Sequence, residues 1–183
     1  MKHLLLTGKP GVGKTTLIKG LVEALRRKNE SLVQGFYTEE VRVDGQRVGF
    51  DCVFFDGQQP CALARVNGRF LPHQRRYKVG KYSVKVEEFE LYAVPSLRLK
   101  TEENCYVVVD EIGKMELLSA RFKQAVSKLF EKPNITIIGS IPGGGAVPSF
   151  VESIRELPDV CVVEITIENR DGKLDELMSY LEI

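Results

Sequence analysis

A chain of 183 residues, 43% hydrophobic and without a low-complexity tract, has material for one compact domain with a full core and no room for a second of ordinary size. Its 26 Lys and Arg against 25 Asp and Glu leave a formal net charge of +1, so no global field favours nucleic acid or an anionic membrane, and any basic surface is local. Neither class of macromolecule is expected as a specific partner.

The first element is a short strand, Lys2 to Leu6. Its three leucines are too few for a signal sequence or a membrane span, which points to a soluble, cytoplasmic protein, expected as a monomer. Directly after it, Gly8-Lys9-Pro10-Gly11-Val12-Gly13-Lys14-Thr15 fits the whole phosphate-cradling P-loop pattern. The glycines let successive backbone N–H groups turn in around a β-phosphate. Lys14 brings a point charge to the β- and γ-groups, and the Thr15 hydroxyl suits Mg²⁺. From Thr15 onward Leu17, Ile18, Leu21, Val22 and Leu25 share one helical face, opposite Lys19, Glu23, Arg26, Arg27 and Lys28. The loop therefore opens an amphipathic helix, whose N-terminus, with Thr16 in its first turn, adds N–H donors and partial positive charge beside the phosphates. An ordinary glycine turn would explain neither Lys14 nor Thr15.

Between Phe36 and Phe70 the rhythm changes to alternation. Asp44-Gly45 separates two strand-like runs and Asp56-Gly57 follows another, which predicts an antiparallel β insertion. A basic stretch through Arg65, Arg69, Arg75, Arg76, Lys78, Lys81 and Lys85, interleaved with Phe70, Tyr77 and Tyr82, carries the insertion to about residue 85. It reads either as a cover over the phosphates or as a solvated sheet edge guarded by charge. Val86 to Leu99 is helical in pattern through Phe89, Tyr92, Ala93 and Leu97, with Pro95 expected to kink or interrupt it.

Val107-Val108-Val109-Asp110-Glu111 is an apolar strand, Cys105 to Val109, ending in two carboxylates. P-loop enzymes complete a Mg²⁺ site in this way, with Asp110 reaching the metal opposite Thr15 and Glu111 orienting or deprotonating the attacking water. Helices are expected over Leu117 to Phe130 and around Leu174, Leu177, Met178 and Leu181, and further strands over Ile135 to Ser140 and Val160 to Ile165. Ser140 to Pro148, rich in glycine but without a following Lys-Thr, reads as a mobile loop after a core strand that could border the crevice. Cys52, Cys61, Cys105 and Cys161 show no Cys-x-x-Cys spacing and read as four buried, reduced thiols. The alternation of strands and helices gives a single α/β P-loop domain, a doubly wound and mostly parallel sheet with helices on both faces.

Together, Gly8 to Thr15, Gly35-Phe36-Tyr37-Thr38-Glu39-Glu40-Val41-Arg42, Val109-Asp110-Glu111-Ile112-Gly113-Lys114-Met115-Glu116 and Glu168-Asn169-Arg170-Asp171 resemble the THEP1 family of nucleoside triphosphatases over nearly the whole chain. The resemblance implies a RecA-like or additional-strand P-loop fold and slow, Mg²⁺-dependent hydrolysis of ATP, GTP, CTP and UTP to diphosphate and phosphate with little base selectivity. On this basis Glu39 and Glu40 either place a carboxylate beside the water or metal or end a solvated strand. Arg42, Arg47 or a cation of the basic stretch would neutralise charge as an arginine finger does. Gly113 and Lys114 join the nucleotide-binding set, Lys114 facing the phosphates or capping a neighbouring element. Asn169 and Arg170 would flank the base, Asn169 being equally a helix N-cap.

A nucleoside or nucleotide kinase uses the same P-loop but needs an acceptor pocket and a lid, and a nucleotide-dependent switch needs a partner that reads one nucleotide state. A guanine-specific GTPase is disfavoured, since no Asn-Lys-x-Asp segment follows a predicted strand.

Overall fold

The structure, a computed structural model, describes residues 3–28, 33–68, 77–100 and 104–183. In chain order these form β1 (His3–Thr7), α1 (Lys14–Lys28), β2 (Val33–Val43), β3 (Gln46–Phe54), β4 (Cys61–Val66), β5 (Tyr77–Val79), β6 (Tyr82–Val84) and α2 (Val86–Ser96). There follow β7 (Cys105–Asp110), a 3-10 turn at Glu116–Leu118, α3 (Ala120–Phe130), β8 (Ile135–Ser140), α4 (Ser149–Arg155), β9 (Val160–Glu164) and α5 (Arg170–Leu181).

The strands make one nine-stranded sheet in the order β5-β6-β4-β3-β2-β7-β8-β1-β9. From β2 to β9 every pairing is parallel, and β8 stands between the P-loop strand β1 and β7, whose end carries Asp110. This inserted strand is the architecture that the sequence resemblance implies. The β insertion is antiparallel as expected, and it extends the same sheet instead of forming a layer of its own.

Side-chain alternation sends β1 to both faces. Leu4 and Leu6 join Val108 and Ile138 under α1 and α5, packed on Leu17, Ile18, Leu21 and Leu177. Leu5 joins Phe36, Val107 and Ile137 on the other face, beneath Phe89 of α2, Phe122 of α3 and Val151 of α4. Phe89 and Phe122 meet edge to face at 5.2 Å, a favoured arrangement of their quadrupoles. Among the described residues no helix is long and apolar enough to cross a membrane.

The pairing of β2 with β7 ends at Tyr37 and Asp110. Beyond that point β2 runs on with β3 as a hairpin whose Asp44 and Gly45 both have positive φ, the type I′ geometry that an Asp-Gly turn favours. The hairpin thus projects past the carboxyl edge of the parallel strands.

Several expectations are corrected. The helix expected over Leu117 to Phe130 is broken at Ser119, whose hydroxyl accepts the Phe122 N–H at 2.9 Å and caps α3 afresh after the 3-10 turn. α2 ends at Ser96 and not Leu99, one residue past Pro95, with Leu97 and Arg98 N–H groups closing on the Val94 and Pro95 carbonyls. Cys52, Cys61 and Cys105 are buried, but Cys161, on the edge strand β9, is only partly so. Lys78 and Lys81 do not cover the P-loop. They belong to β5 and its turn at the opposite edge of the sheet, the solvated-edge reading. Arg65 lies in β4, paired with Asp51 at 2.5 Å. Arg69, Phe70, Arg75 and Arg76 lie outside the described residues.

Candidate active site

The site forms at the carboxyl edge of β1, β7 and β8, where an open α/β sheet places its ligand crevice. β1 ends at Thr7 and hands the chain to the P-loop, which turns on glycines. Gly8 has φ +139°, and a Cβ there would fall 2.2 Å from the Ile165 carbonyl oxygen, so only glycine fits. Lys9, Pro10 and Gly11 are exposed at the rim, Val12 is buried beneath them, and Gly13 leads into α1. Lys14 is 8% exposed, and its ammonium donates to the Gly8 and Lys9 carbonyls at 3.0 and 3.4 Å, which holds it inside the loop. Thr16 is exposed in the first turn of α1.

Thr15 brings the two halves together. Its hydroxyl donates to Asp110 Oδ2 at 2.7 Å, across 95 residues of chain. Asp110 is 1% exposed, and its Oδ1 accepts the hydroxyl of Ser140, at the end of β8. Burial pushes the Asp110 carboxyl above its ordinary value, opposed by the Ser140 and Thr15 hydrogen bonds and by the charge of Lys14. Glu111 follows across a cis peptide. Its carboxyl is likewise raised, first by burial and further by Asp110, with Lys14 opposing. Lys14, Asp110 and Glu111 thus feel one another electrostatically.

The donor set fits Mg²⁺. Thr15 Oγ1 and Asp110 Oδ2 are hard oxygens converging beside the phosphate loop. Mg²⁺ in nucleotide sites is held by one or two such groups, completed by water and substrate phosphates. Among the described residues there is no cluster of three or more His, Cys, Asp or Glu arranged as a dedicated metal cage.

Ser140 was not singled out from sequence. The signal was a hydroxyl residue ending an apolar strand, and it gains meaning only from the strand order that sets β8 between β1 and β7. The loop after it is seated, at its start, against the P-loop. Thr7 donates to the Pro142 carbonyl at 3.2 Å, and a Cβ on Gly143 would fall 2.5 Å from Gly8 N. This loop borders the crevice.

The hairpin residues are drawn into ion pairs. Glu39 accepts from Lys19 at 2.9 Å, and Lys19 lies over the Tyr37 ring at 4.1 Å. Arg42 and Arg47 both bind Glu40, at 2.5 and 2.7 Å, and the Arg47 hydrogen bond holds the Glu40 carboxyl below its ordinary range. Arg47 also donates to Tyr82 Oη at 2.9 Å, so neither arginine points unengaged at the P-loop. Gly113 is buried in the turn after Glu111, whereas Lys114 is exposed. Asn169 occupies the N-cap position of α5 but makes no side-chain cap. Instead its Oδ1 accepts the Thr166 N–H at 2.9 Å and its Nδ2 donates to the Glu164 carbonyl at 3.0 Å, knitting up the loop after β9. Arg170 does reach the P-loop. Its Nη1 donates to the Val12 carbonyl at 3.4 Å and its Cδ lies 3.6 Å from where a Gly13 Cβ would stand.

A family model described as NTPase matches residues 3–178 of the chain. The mouse protein named cancer-related nucleoside-triphosphatase homolog is 41% identical over 99% of this chain and 97% of its own. Among solved structures, a human cancer-related nucleoside triphosphatase in solution superposes with TM-score 0.83 at 42% identity, covering 100% of this chain and 98% of that one. The crystal structure of THEP1 from Aquifex aeolicus also gives 0.83, at 37% identity and with 100% of both chains covered.

Proposed function

Because the chain belongs to the THEP1 family of nucleoside-triphosphatases, we propose that it hydrolyses nucleoside triphosphates to diphosphate and phosphate, with Mg²⁺ and with little selectivity for the base. The observation that carries this reading is the Thr15–Asp110 hydrogen bond, which joins the phosphate loop to a strand-end carboxylate followed at once by Glu111.

In this scheme the P-loop N–H groups and the N-terminus of α1 receive the phosphates. The Lys14 ammonium turns from the Gly8 and Lys9 carbonyls to the β- and γ-oxygens, exchanging backbone acceptors for anionic ones. Thr15 and Asp110 hold Mg²⁺, which when bound neutralises charge on the β- and γ-oxygens. Ser140 keeps the Asp110 carboxylate aimed. Glu111 orients a water for in-line attack and takes one of its protons. The water oxygen bonds to the γ-phosphorus, the bond from that phosphorus to the β-bridging oxygen breaks, and the nucleoside diphosphate departs with those electrons. A carboxylate whose affinity for protons is raised by burial suits that role.

Arg170, against Val12 and Gly13, offers a guanidinium plane on which any base can stack, which supports broad base use. Phosphate release from ATP, GTP, CTP and UTP, with Mg²⁺ and with chelator, tests the reading. Release from all four that chelator abolishes is the expected result; release from one alone, or equal release in chelator, would contradict it.

A further inference from the structure

We propose that Glu116, a buried carboxyl with no part in the scheme above, is a positioning residue that fixes the Glu111 carboxylate through the turn between them. The assignment rests on the reading of Glu111 as the group that orients water.

The turn is moored at both ends. Ile112 N–H donates to the Ser140 carbonyl at 2.8 Å, and Gly113 N–H donates to Glu116 Oε2 at 3.1 Å. The Gly113 carbonyl then accepts from Leu117 at 3.0 Å as the 3-10 turn begins. Glu116 thus reaches back three residues to close the loop that carries Glu111.

The two carboxyls also converge on one point. A Cβ built on Gly113 would lie 2.6 Å from Glu111 Oε1 and 3.0 Å from Glu116 Oε2. The oxygens are therefore no farther apart than those two lengths laid end to end, and the space a side chain would take at residue 113 belongs to them. Gly113 has no positive φ, so its requirement for glycine is steric.

Glu116 is 4% exposed. The groups that act on it are two other carboxylates, Glu111 and Asp110, and the N–H groups of Glu116 and Gly113. Like charge on Glu111 disfavours ionisation of Glu116. Burial first, and Glu111 second, push the Glu116 carboxyl up to about 8.

The test measures phosphate release against Mg-ATP concentration for the full chain and three variants, with equilibrium binding of a fluorescent ATP analogue and a melting curve for each. Glu116→Leu keeps most of the volume and removes the hydrogen-bonding carboxyl. Glu116→Gln keeps an acceptor for Gly113 N–H. Gly113→Ala drives a methyl between the two carboxyls. Glu116→Leu and Gly113→Ala are expected to lose about tenfold or more in kcat with KM and analogue affinity within about twofold, while Glu116→Gln retains most of kcat.

Wild-type kcat in Glu116→Leu, or a loss in Glu116→Gln as large as in Glu116→Leu, would overturn the assignment. If Glu116→Leu does not fold, Gly113→Ala decides, and an unchanged kcat there overturns it too. An inactive wild type would sink the hydrolase reading and this assignment with it; an active wild type with unaffected variants sinks the assignment alone.

Discussion

Lys14 is held by P-loop carbonyls and Ser140 by Asp110, and single substitutions separate their effects. In the proposed reaction Lys14 meets the phosphates in the ground state and in transit, so Lys14→Ala should raise KM and lower kcat together, read in steady-state kinetics and analogue titration. Ser140→Ala leaves Asp110 Oδ1 without its hydroxyl donor in a buried place. It should cost about 1–3 kcal/mol of stability and shift the Mg²⁺ requirement for turnover upward, seen in urea titrations and in rate against Mg²⁺ concentration. Glu116 gives the molecule a pH signature. Its folded value of about 8 lies above the ordinary 4.5, so between the two the native state holds a proton that the unfolded chain releases. Stability from this group is then complete below about pH 4.5 and falls until pH passes about 8. Over that window the melting temperature without nucleotide should fall less, or rise more, with pH in Glu116→Gln than in the wild type, while His3, held below its ordinary value by burial, adds an opposite slope to both. Asp110 and Glu111, raised in the same direction, leave a residual slope in the variant.

At the scale of elements, Ser119 ends one turn and starts another. Its hydroxyl caps α3 through Phe122 N–H and donates to Glu90 Oε1 of α2 at 2.6 Å, tying together the two helices that bracket the phenylalanine cluster. Ser119→Ala should lower unfolding free energy by about 1–2 kcal/mol in urea, with kcat unchanged. Sequence periodicity ran straight through this residue, because Leu117 and Leu118 continue the apolar pattern of α3 across the cap. Patterns with strong local causes were legible: β8 falls on its expected bounds, α1 on its expected face, and the Asp44-Gly45 turn in its expected geometry. α4 was not anticipated, since seven residues with only Val151 and Ile154 buried carry too little periodicity.

At the scale of the whole molecule, the parts of the site adjacent in sequence were readable and the parts made adjacent by strand order were not. The P-loop and the Asp110-Glu111 pair each announce themselves as contiguous runs. Ser140 and the partnership of Glu111 with Glu116 appear only when β8 is set beside β7 and the chain turns at Gly113. The hairpin shows the same limit from the other side. Glu39, Glu40, Arg42 and Arg47 look like free charges in sequence, and the fold pairs them with Lys19 and with one another. Lys78 and Lys81 of the basic stretch lie at the sheet edge, because β3, β4 and β6 place β5 at the far side of the sheet from β1.

In the proposed reaction the P-loop and the end of β7 form one water-activating site with Glu111 as its base. Its most direct test is phosphate release from Mg-ATP, with no added acceptor, by the wild type and by Glu111→Gln, beside analogue binding to both. Release by the wild type, a fall of roughly 10²–10⁴-fold in the variant, and equal binding are expected. Tight binding by the wild type without release, or a Glu111→Gln variant that turns over at the wild-type rate, would contradict it.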